Sequence, residues 1–544
     1  MTFIPGKLVL SNPLTCTNTP KGENKLYSDA KGVVPSLDLR FAEGKNLNDY
    51  MTGTPLVDHQ RSMSGSNLSP GTFVNSSGLI ETAKVNLVVY SEDFSVSSAW
   101  VPVGSTAVQS TTVLAPDNLS FTYKLEEDNT TGAHRFLSGT SNTVSATINL
   151  PYTISFFVKN AGRDYVFIRF NTGVGDFVTG SVRLSDATVT QTITGTITAT
   201  PVGNGWVRIV GTGVSNATGL AYPEIRASNS AIYSNYTGDG TSGIYVWGAQ
   251  VEEGTTATTY IPTTNVPSAA PRFDHDPTTG ESLGLLIEES RTNILLNSAT
   301  LSTQSVTTSA TAYTLSFYGT GTVTLSGTST AGPLVGTGAN DRVTLTFTPT
   351  AGTLTLTVTG TVSNAQLEQG SFPTSYIPTT GTALTRSADV ASITGSNFSR
   401  WFVQNNGSFY CKADLQSPAS SGQAPIFSVD NSGANSRIAS RRSNLGVRNN
   451  SSSDGIDITN FSAWNGEVKE FALTWVANDC ALVDSGTLIG TDTTTVNPLS
   501  TVNQLLIGDT NSGGFLTKMG GHISRLTYFP ERLPDSSLQT MTTP

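Results

Sequence analysis

The sequence predicts an all-β protein of several β-sandwich or jelly-roll domains in tandem, and three observations lead there. Only 13% of its 544 residues are charged, while Thr, Ser, Gly and Asn abound; Glu, Lys, Ala and Leu are too sparse for a helix-rich chain. Long runs alternate threonine with an apolar residue. In TLTLTVT, from Thr353, Leu354, Leu356 and Val358 fall on one face and threonines on the other, the period-two pattern of a strand with one buried and one wet face. Threonine suits the wet face because it is β-branched yet hydrogen-bonds water. The third observation is a repeated phrase, AQVEEGTTATTYIPTT from Ala249 and AQLEQGSFPTSYIPTT from Ala365, which marks a duplicated unit.

A chain of this length exceeds one hydrophobic core, so about three to five compact units are expected. Residues 1–35 carry Pro, Gly and Asn punctuation around one short apolar run, Leu8 to Leu10, and read as an arm. Residues 36–85 form a small β-rich segment in which NSSG at Asn75 is a turn. Residues 86–270 are the first sandwich, with YTISFFVKN from Tyr152, DYVFIRF from Asp164 and GIYVWGAQVEEG from Gly243 as strands. Residues 271–298 form a linker, and 299–385 the second, shorter sandwich. Its YTLSFY, from Tyr313, matches YTISFF, and NILLNS at Asn293 matches NLVVYS at Asn86, in the same order. Residues 386–544 make a third sandwich, closed by a short helix from Pro534, whose ring suits a first helical turn.

The repeated phrase reads as a module ending. Ala249 and Val251, like Ala365 and Leu367, face inward; Gln250 and Glu252, like Gln366 and Glu368, face the other way, at a joint. Tyr260 and Pro262, like Tyr376 and Pro378, belong to an exit in which proline disfavours helix in the residue before it.

Charge and motif content exclude several classes. The net charge is −10 with a pI near 5.0, and the densest cationic stretch, Arg437 to Arg448, is interspersed with Ser and Asn, so nucleic acid is not an expected partner. Cys16, Cys411 and Cys480 are too far apart for a metal set or a disulfide framework; the latter two sit in strand patterns as buried thiols. No window reaches the length of a membrane span. The N-terminus lacks a signal-peptide pattern, so synthesis in a cytoplasm without export is expected. His59, His134, His275 and His522 are scattered, and no nucleophile elbow or phosphate loop occurs.

The adjacent Glu288 and Glu289 point to opposite faces of a strand, so they cannot form a glycosidase pair. One of them is expected to pair with Arg291 or Arg272. Asp274, Asp276 and Glu281 have a spacing that suits calcium, but Pro277 to Gly280 reads as a tight turn in which Asp276 caps backbone amides, and the turn is preferred. No metal or cofactor is therefore expected. Trp247 and Trp475 share parity with apolar neighbours and read as core. Trp100 and Trp464, in polar loop-like contexts, are the candidate platforms for a sugar.

APRFDHDPTTGESLGLLIEESRTNILLNS, from Ala270 to Ser298, is similar to a phrase found in tail fibre and other virion proteins of tailed bacteriophages. LDLRFAEGK to GLIETAKVN, Leu37 to Asn86, resembles the segment that precedes it in such proteins, although Leu87 to Ala270 intervene here. The sandwich units resemble carbohydrate-binding-module-like jelly rolls. EFALTWVANDCALVDSGTLIGT from Glu470 and HISRLTYFPERLPDSSLQ from His522 resemble a concanavalin A-like, laminin-G-type domain. That resemblance implies a core strand at Trp475 and a hairpin closed at Asp484-Ser-Gly.

Together the resemblances imply a non-enzymatic virion adhesin, a tail fibre or spike made in the host cytoplasm. Its arm would dock to other virion proteins, and its β domains would reach host surface glycan or protein. A homotrimer is implied by the resemblance alone. The alternatives are a capsid-attached head fibre or decoration protein, and a polysaccharide-degrading enzyme with binding modules.

Overall fold

A computed structural model describes residues 26–416, 425–431, 437–441, 445–448, 455–458, 467–493, 502–509 and 518–544. The chain is all-β, and its apolar residues form three main cores.

One core is built from three separate stretches of sequence. An eight-stranded antiparallel sheet runs Phe273–His275, Ser282–Ile287, Gly521–Phe529, Gly407–Leu415, Val468–Val476, Asp479–Asp484, Thr487–Asp492, and Leu37–Leu39 also pairs with Gly521–Phe529. A seven-stranded sheet begins Asp58–Gln60, Val390–Thr394, Gln504–Ile507, Pro425–Asp430. Alternation along these strands supplies the shared interior: Phe409, Cys411, Phe471, Leu473, Trp475, Phe427, Ile393, Leu39 and Ile287 all join one cluster. Burial pushes the Cys411 thiol pKa far up, as befits an inert packing group. The hairpin expected at Asp484 is present. Ser485 (φ 48°) and Gly486 (φ 79°) form a two-residue loop with positive φ at both positions, which matches the twist of its strands. The helix Asp535–Met541 follows Pro534 and packs Leu538 and Met541 against Ala472 and Val483.

Two sequence expectations are corrected here. Residues 36–85 are not a separate unit, and 271–298 is not a linker. Leu37–Leu39, Asp58–Gln60 and the Phe273–Ile287 hairpin are strands of the third sandwich. The run LGLLI has the apolar content of a buried strand, but its partner lies far off in sequence, where no local pattern points.

The other two sandwiches are insertions into this base. The first packs a sheet ordered Thr188–Thr194, Asp176–Arg183, Tyr165–Asn171, Gly219–Ser228, His134–Ser138, Trp100–Val103 on one ordered Thr196–Gly203, Trp206–Val214, Pro151–Ala161, Gly243–Glu253, Phe121–Glu127, Ser105–Leu114. Its chain enters and leaves through a two-stranded neck, Val85–Asn86 against Ser268–Ala269. The second packs a four-stranded on a three-stranded sheet, and its neck pairs Arg291–Asn293 with Leu384–Arg386. Both are joined to the base twice.

The two insertions share a signature beyond their sequence match. Tyr90 and Asn297, at equivalent places after the neck, both have φ of 49°. Gly248 (φ 63°) and Asn364 (φ 46°) occupy equivalent bulges in the last strand. Glycine and asparagine tolerate that left-handed conformation best. The bulge corrects the parity reading of Trp247. It shifts the strand by one residue, so Ala249 and Val251 enter the main core while Trp247 packs on the opposite face with Phe157, Trp206 and Tyr260.

Candidate functional site

At each module ending the last strand buries a glutamine and a glutamate against the segment that follows. Gln250 Nε2 donates to Glu252 (2.7 Å), Glu252 accepts the Thr258 amide (3.0 Å), and Gln250 Oε1 accepts the Ile261 amide (2.7 Å). The copy is the same atom for atom. Gln366 donates to Glu368 (2.6 Å), Glu368 accepts the Thr374 amide (2.8 Å), and Gln366 accepts the Ile377 amide (2.6 Å). All four side chains are buried. Tyr260 reaches Ser91 (2.6 Å) and Tyr376 reaches Ser298 (2.7 Å), tying the exit to the entry.

The sequence missed two members of this clasp. Asn86 Nδ2 donates to the carbonyls of Ala249 and Ile261 while its Oδ1 accepts the Val251 amide; Asn293 does the same with Ala365, Ile377 and Leu367. Arg208 and Arg342 cross the strand face to the carbonyls of Thr258 and Thr374, each at 2.7 Å. The repeated NLVVYS and NILLNS phrases carry the signal for the asparagines. With the side-chain amides of Gln250, Gln366, Asn86 and Asn293 and the carboxylates of Glu252 and Glu368 all hydrogen-bonded inside the modules, these segments are scaffold.

Below the second neck the phrases that resemble virion proteins meet in a buried ionic cluster. Asp389 accepts from Arg61 (2.6 Å), from Arg272 (2.7 Å) and from the Glu288 amide (2.9 Å), with His59 at 3.3 Å. Glu288 pairs with Arg272 (2.6 Å) and Arg386 (3.1 Å) and accepts two hydrogen bonds from Ser375. Burial works to raise the Glu288 carboxyl pKa, but Arg386, Arg272 and the Ser375 donors outweigh it and hold it near 2. Glu289 pairs with Arg291 instead, so the two adjacent acids serve two different arginines. The cluster joins the base to the second insertion, and its charged side chains are all buried.

The outer face of the first sandwich is different in kind. Val166, Ile168 and Phe170 point into the core, so Phe167 and Arg169 point outward, beside Arg226 and Glu224 of the next strand. Arg135 lies alongside Arg226, and Ser181 and Gln191 continue the same face across the sheet. Glu224 is fully buried under three guanidinium groups: Arg135 (2.9 Å), Arg169 (3.6 Å) and Arg226. Arg169 also pairs with Asp176 (2.7 Å). Tyr233 stacks on Phe167 with ring centroids 4.5 Å apart, and the Arg226 guanidinium lies 4.7 Å from the Tyr233 ring. Four buried polar atoms on this face lack a hydrogen-bond partner: Arg135 Nε, Glu224 Oε2, Ser181 Oγ and Gln191 Oε1. Sequence alternation assigns the outward parity, but nothing local brings Arg135 to Glu224.

The predicted site residues fall elsewhere. Trp100 is corrected from exposed platform to core: its ring is fully buried against Phe94 and Phe156, and its Nε1 donates to the Tyr90 carbonyl. Trp464 lies outside the described residues. Asp276 caps the amides of Thr278 and Thr279, as the turn reading requires. Asp274 instead accepts from His522 (2.9 Å) and from the Val74 amide, while Glu281 closes the turn through its backbone carbonyl. Among the described residues no group of three His, Cys, Asp or Glu side chains is placed to hold a metal ion, and no helix is long and apolar enough to cross a membrane.

No family model and no curated protein matches this chain. Solved structures do. The CBM40 module of the Ruminococcus gnavus IT-sialidase, bound to α2,3-sialyllactose, is similar to 26% of this chain over 84% of its own, at 17% identity and a TM-score of 0.23. Domain 4 of AbnA, an extracellular arabinanase of Geobacillus stearothermophilus in complex with arabinotriose, matches 29% of this chain over 73% of its own (13% identity, TM-score 0.24). The LG1-3 region of the laminin α2 chain matches 72% over 96% (9% identity, TM-score 0.18).

Proposed function

We propose that the chain is a structural virion protein of a tailed bacteriophage, a tail fibre or spike that adheres to glycans on the host surface. The observation that carries the adhesive part is the outer face of the first sandwich. Its partly exposed Arg135 and Arg169, next to a stacked Tyr233 and Phe167, offer the donors and the apolar ring face that a saccharide would meet. The virion part is supported by the PRFD to RTN phrase, whose Arg272 and Glu288 form the hub of the base. The first sandwich is the glycan-binding domain in this reading, and the base holds it through its neck. The arm, of which residues 1–25 lie outside the described residues, docks to the particle, and the fibre is a homotrimer. Weak single sites then gain avidity through copy number.

Purified full-length protein is expected to bind host cells and to compete with phage adsorption, and antibody against the first sandwich to label the tail in electron micrographs. Label on the head would move the assignment to a head fibre or decoration protein. Release of reducing ends from host glycan, abolished by one Asp or Glu change, would make it an enzyme. A solution mass of 57.1 kDa, rather than three times that, would remove the trimer.

A further inference from the structure

The charges on the outer face of the first sandwich do not balance. Arg135, Arg169 and Arg226 meet only Glu224 and Asp176, which leaves one positive charge over. Glu224 is sealed beneath the arginines and fixes them, whereas Arg135 and Arg169 keep 24% and 30% of their side chains exposed. Their donors are not used up. Among the described residues Arg135 donates to Glu224 alone, through Nη1, and Arg169 forms one hydrogen bond, from Nε to Asp176. Arg226 spends its Nε on Glu224 and lays its guanidinium against Tyr233. Beside them Ile232 is 63% exposed and offers an apolar step.

Desolvating three guanidiniums next to one another is costly without compensation. Glu224 reduces that cost but does not remove it. Arg135 and Arg169 each keep Nη2 without a hydrogen bond among the described residues, so a carboxylate lying across the two takes one charge-assisted bond from each, and a single carboxylate brings the set to neutrality.

We propose, building on the glycan-binding reading, that this face selects a sugar bearing a carboxylate. The carboxylate sits across Arg135 and Arg169, positioned by Glu224, and the ring lies toward Tyr233. A surplus of one charge favours a monoanionic sugar over a phosphorylated or multiply sulfated one.

The test uses the full chain and three immobilised or titrated oligosaccharides: one containing a uronic acid, its carboxyl-reduced neutral counterpart, and a sulfated glycan without carboxylates. Binding to the uronic acid oligosaccharide is expected to exceed the other two by tenfold or more, about 1.4 kcal/mol, and to weaken as salt rises. Arg169→Ala and Arg135→Ala should each lose about tenfold for that ligand only, with Arg169→Lys intermediate because charge remains but the planar guanidinium that bonds Asp176 and the ligand together is lost. Because Arg169 is partly exposed, its variant should keep the parent melting curve. Equal binding of acidic and neutral forms, preference for the sulfated glycan, or unchanged affinity in both arginine variants would overturn the carboxylate assignment while leaving glycan binding intact. No binding to any glycan, on arrays or on host cells, would overturn the adhesin reading with it.

Discussion

His522 lies between two carboxylates, Asp414 and Asp274, each 2.9 Å from a ring nitrogen. A ring that donates from both nitrogens is an imidazolium. Burial works against that charge, but the two acids outweigh it and raise the pKa from 6.5 to about 10. A raised pKa means the stabilisation is fully present below pH 6.5 and is lost as pH climbs through about 10. The base should therefore melt several degrees lower at pH 10 than at pH 6, and His522→Gln should start lower and show little of that decline. Superimposable pH profiles for the two proteins would show the ring to be neutral when folded. Glu288 titrates in the opposite sense: its pKa is held at about 2, so its contribution is present above 4.5 and fades as pH falls toward 2. Glu288→Gln leaves Arg272 and Arg386 buried without that partner, and chemical denaturation should report a loss of about 3–5 kcal/mol. The sequence shows an acid beside arginines here, and its expected pairing of a glutamate with Arg272 or Arg291 is met twice. Which glutamate takes which arginine depends on Ser375 and Arg386, nearly a hundred residues onward in the chain.

Strands were legible wherever apolar and polar residues alternate, because one face of each is buried. Leu354 and Leu356 are indeed fully buried while the intervening threonines are not. Parity failed at Trp247, where the bulge at Gly248 adds a residue to one strand only. The loop reading of Trp100 failed for another reason: its neighbours in sequence are polar, but the residue opens the strand Trp100–Val103 and turns its ring into the core, with the indole N–H on the Tyr90 carbonyl. The duplicated entry asparagines give a test at this scale. Asn86→Ala and Asn293→Ala each strand two carbonyls and an amide inside a module, a loss of about 1–3 kcal/mol per unsatisfied group. Because the two asparagines serve different cores, the losses should appear in separate thermal transitions and add in the double variant. A single shared transition would mean the insertions unfold together with the base.

At the scale of the whole molecule the base is discontinuous, and this has a direct consequence for fragments. Residues 386–544 expressed alone lack the strands Leu37–Leu39, Asp58–Gln60 and Ser282–Ile287, and so expose one edge of each sheet and part of a shared core. That fragment should be insoluble or lack a cooperative transition. Residues 84–270, which contain the first sandwich and both strands of its neck, should fold alone and keep the parent's preference among glycans. Cooperative melting of the 386–544 fragment, with near-ultraviolet signals like those of the full chain, would refute the discontinuous base.

The hairpin at Asp484 was implied by the resemblance to a laminin-G-type domain, whereas by itself the sequence determined the all-β class, the presence of two related sandwiches, the turn at Asp276 and the buried character of Cys411 and Trp475. Apart from the duplication, which shows as a repeated phrase, each of these follows from interactions within a few residues: alternation, turn chemistry, apolar runs. Only the tertiary structure decided that the apparent linker is part of a sheet, that both sandwiches are inserted through necks, and that Arg135, Arg169 and Arg226 converge on Glu224. Strand pairing and charge clustering join residues far apart in the chain, and no local pattern encodes which distant strand completes a sheet. The phrase repeated at Ala249 and Ala365 shows both sides. Its repetition is visible in the letters, but its role as the clasp that returns each module to the base is a matter of partners supplied by Asn86 and Asn293.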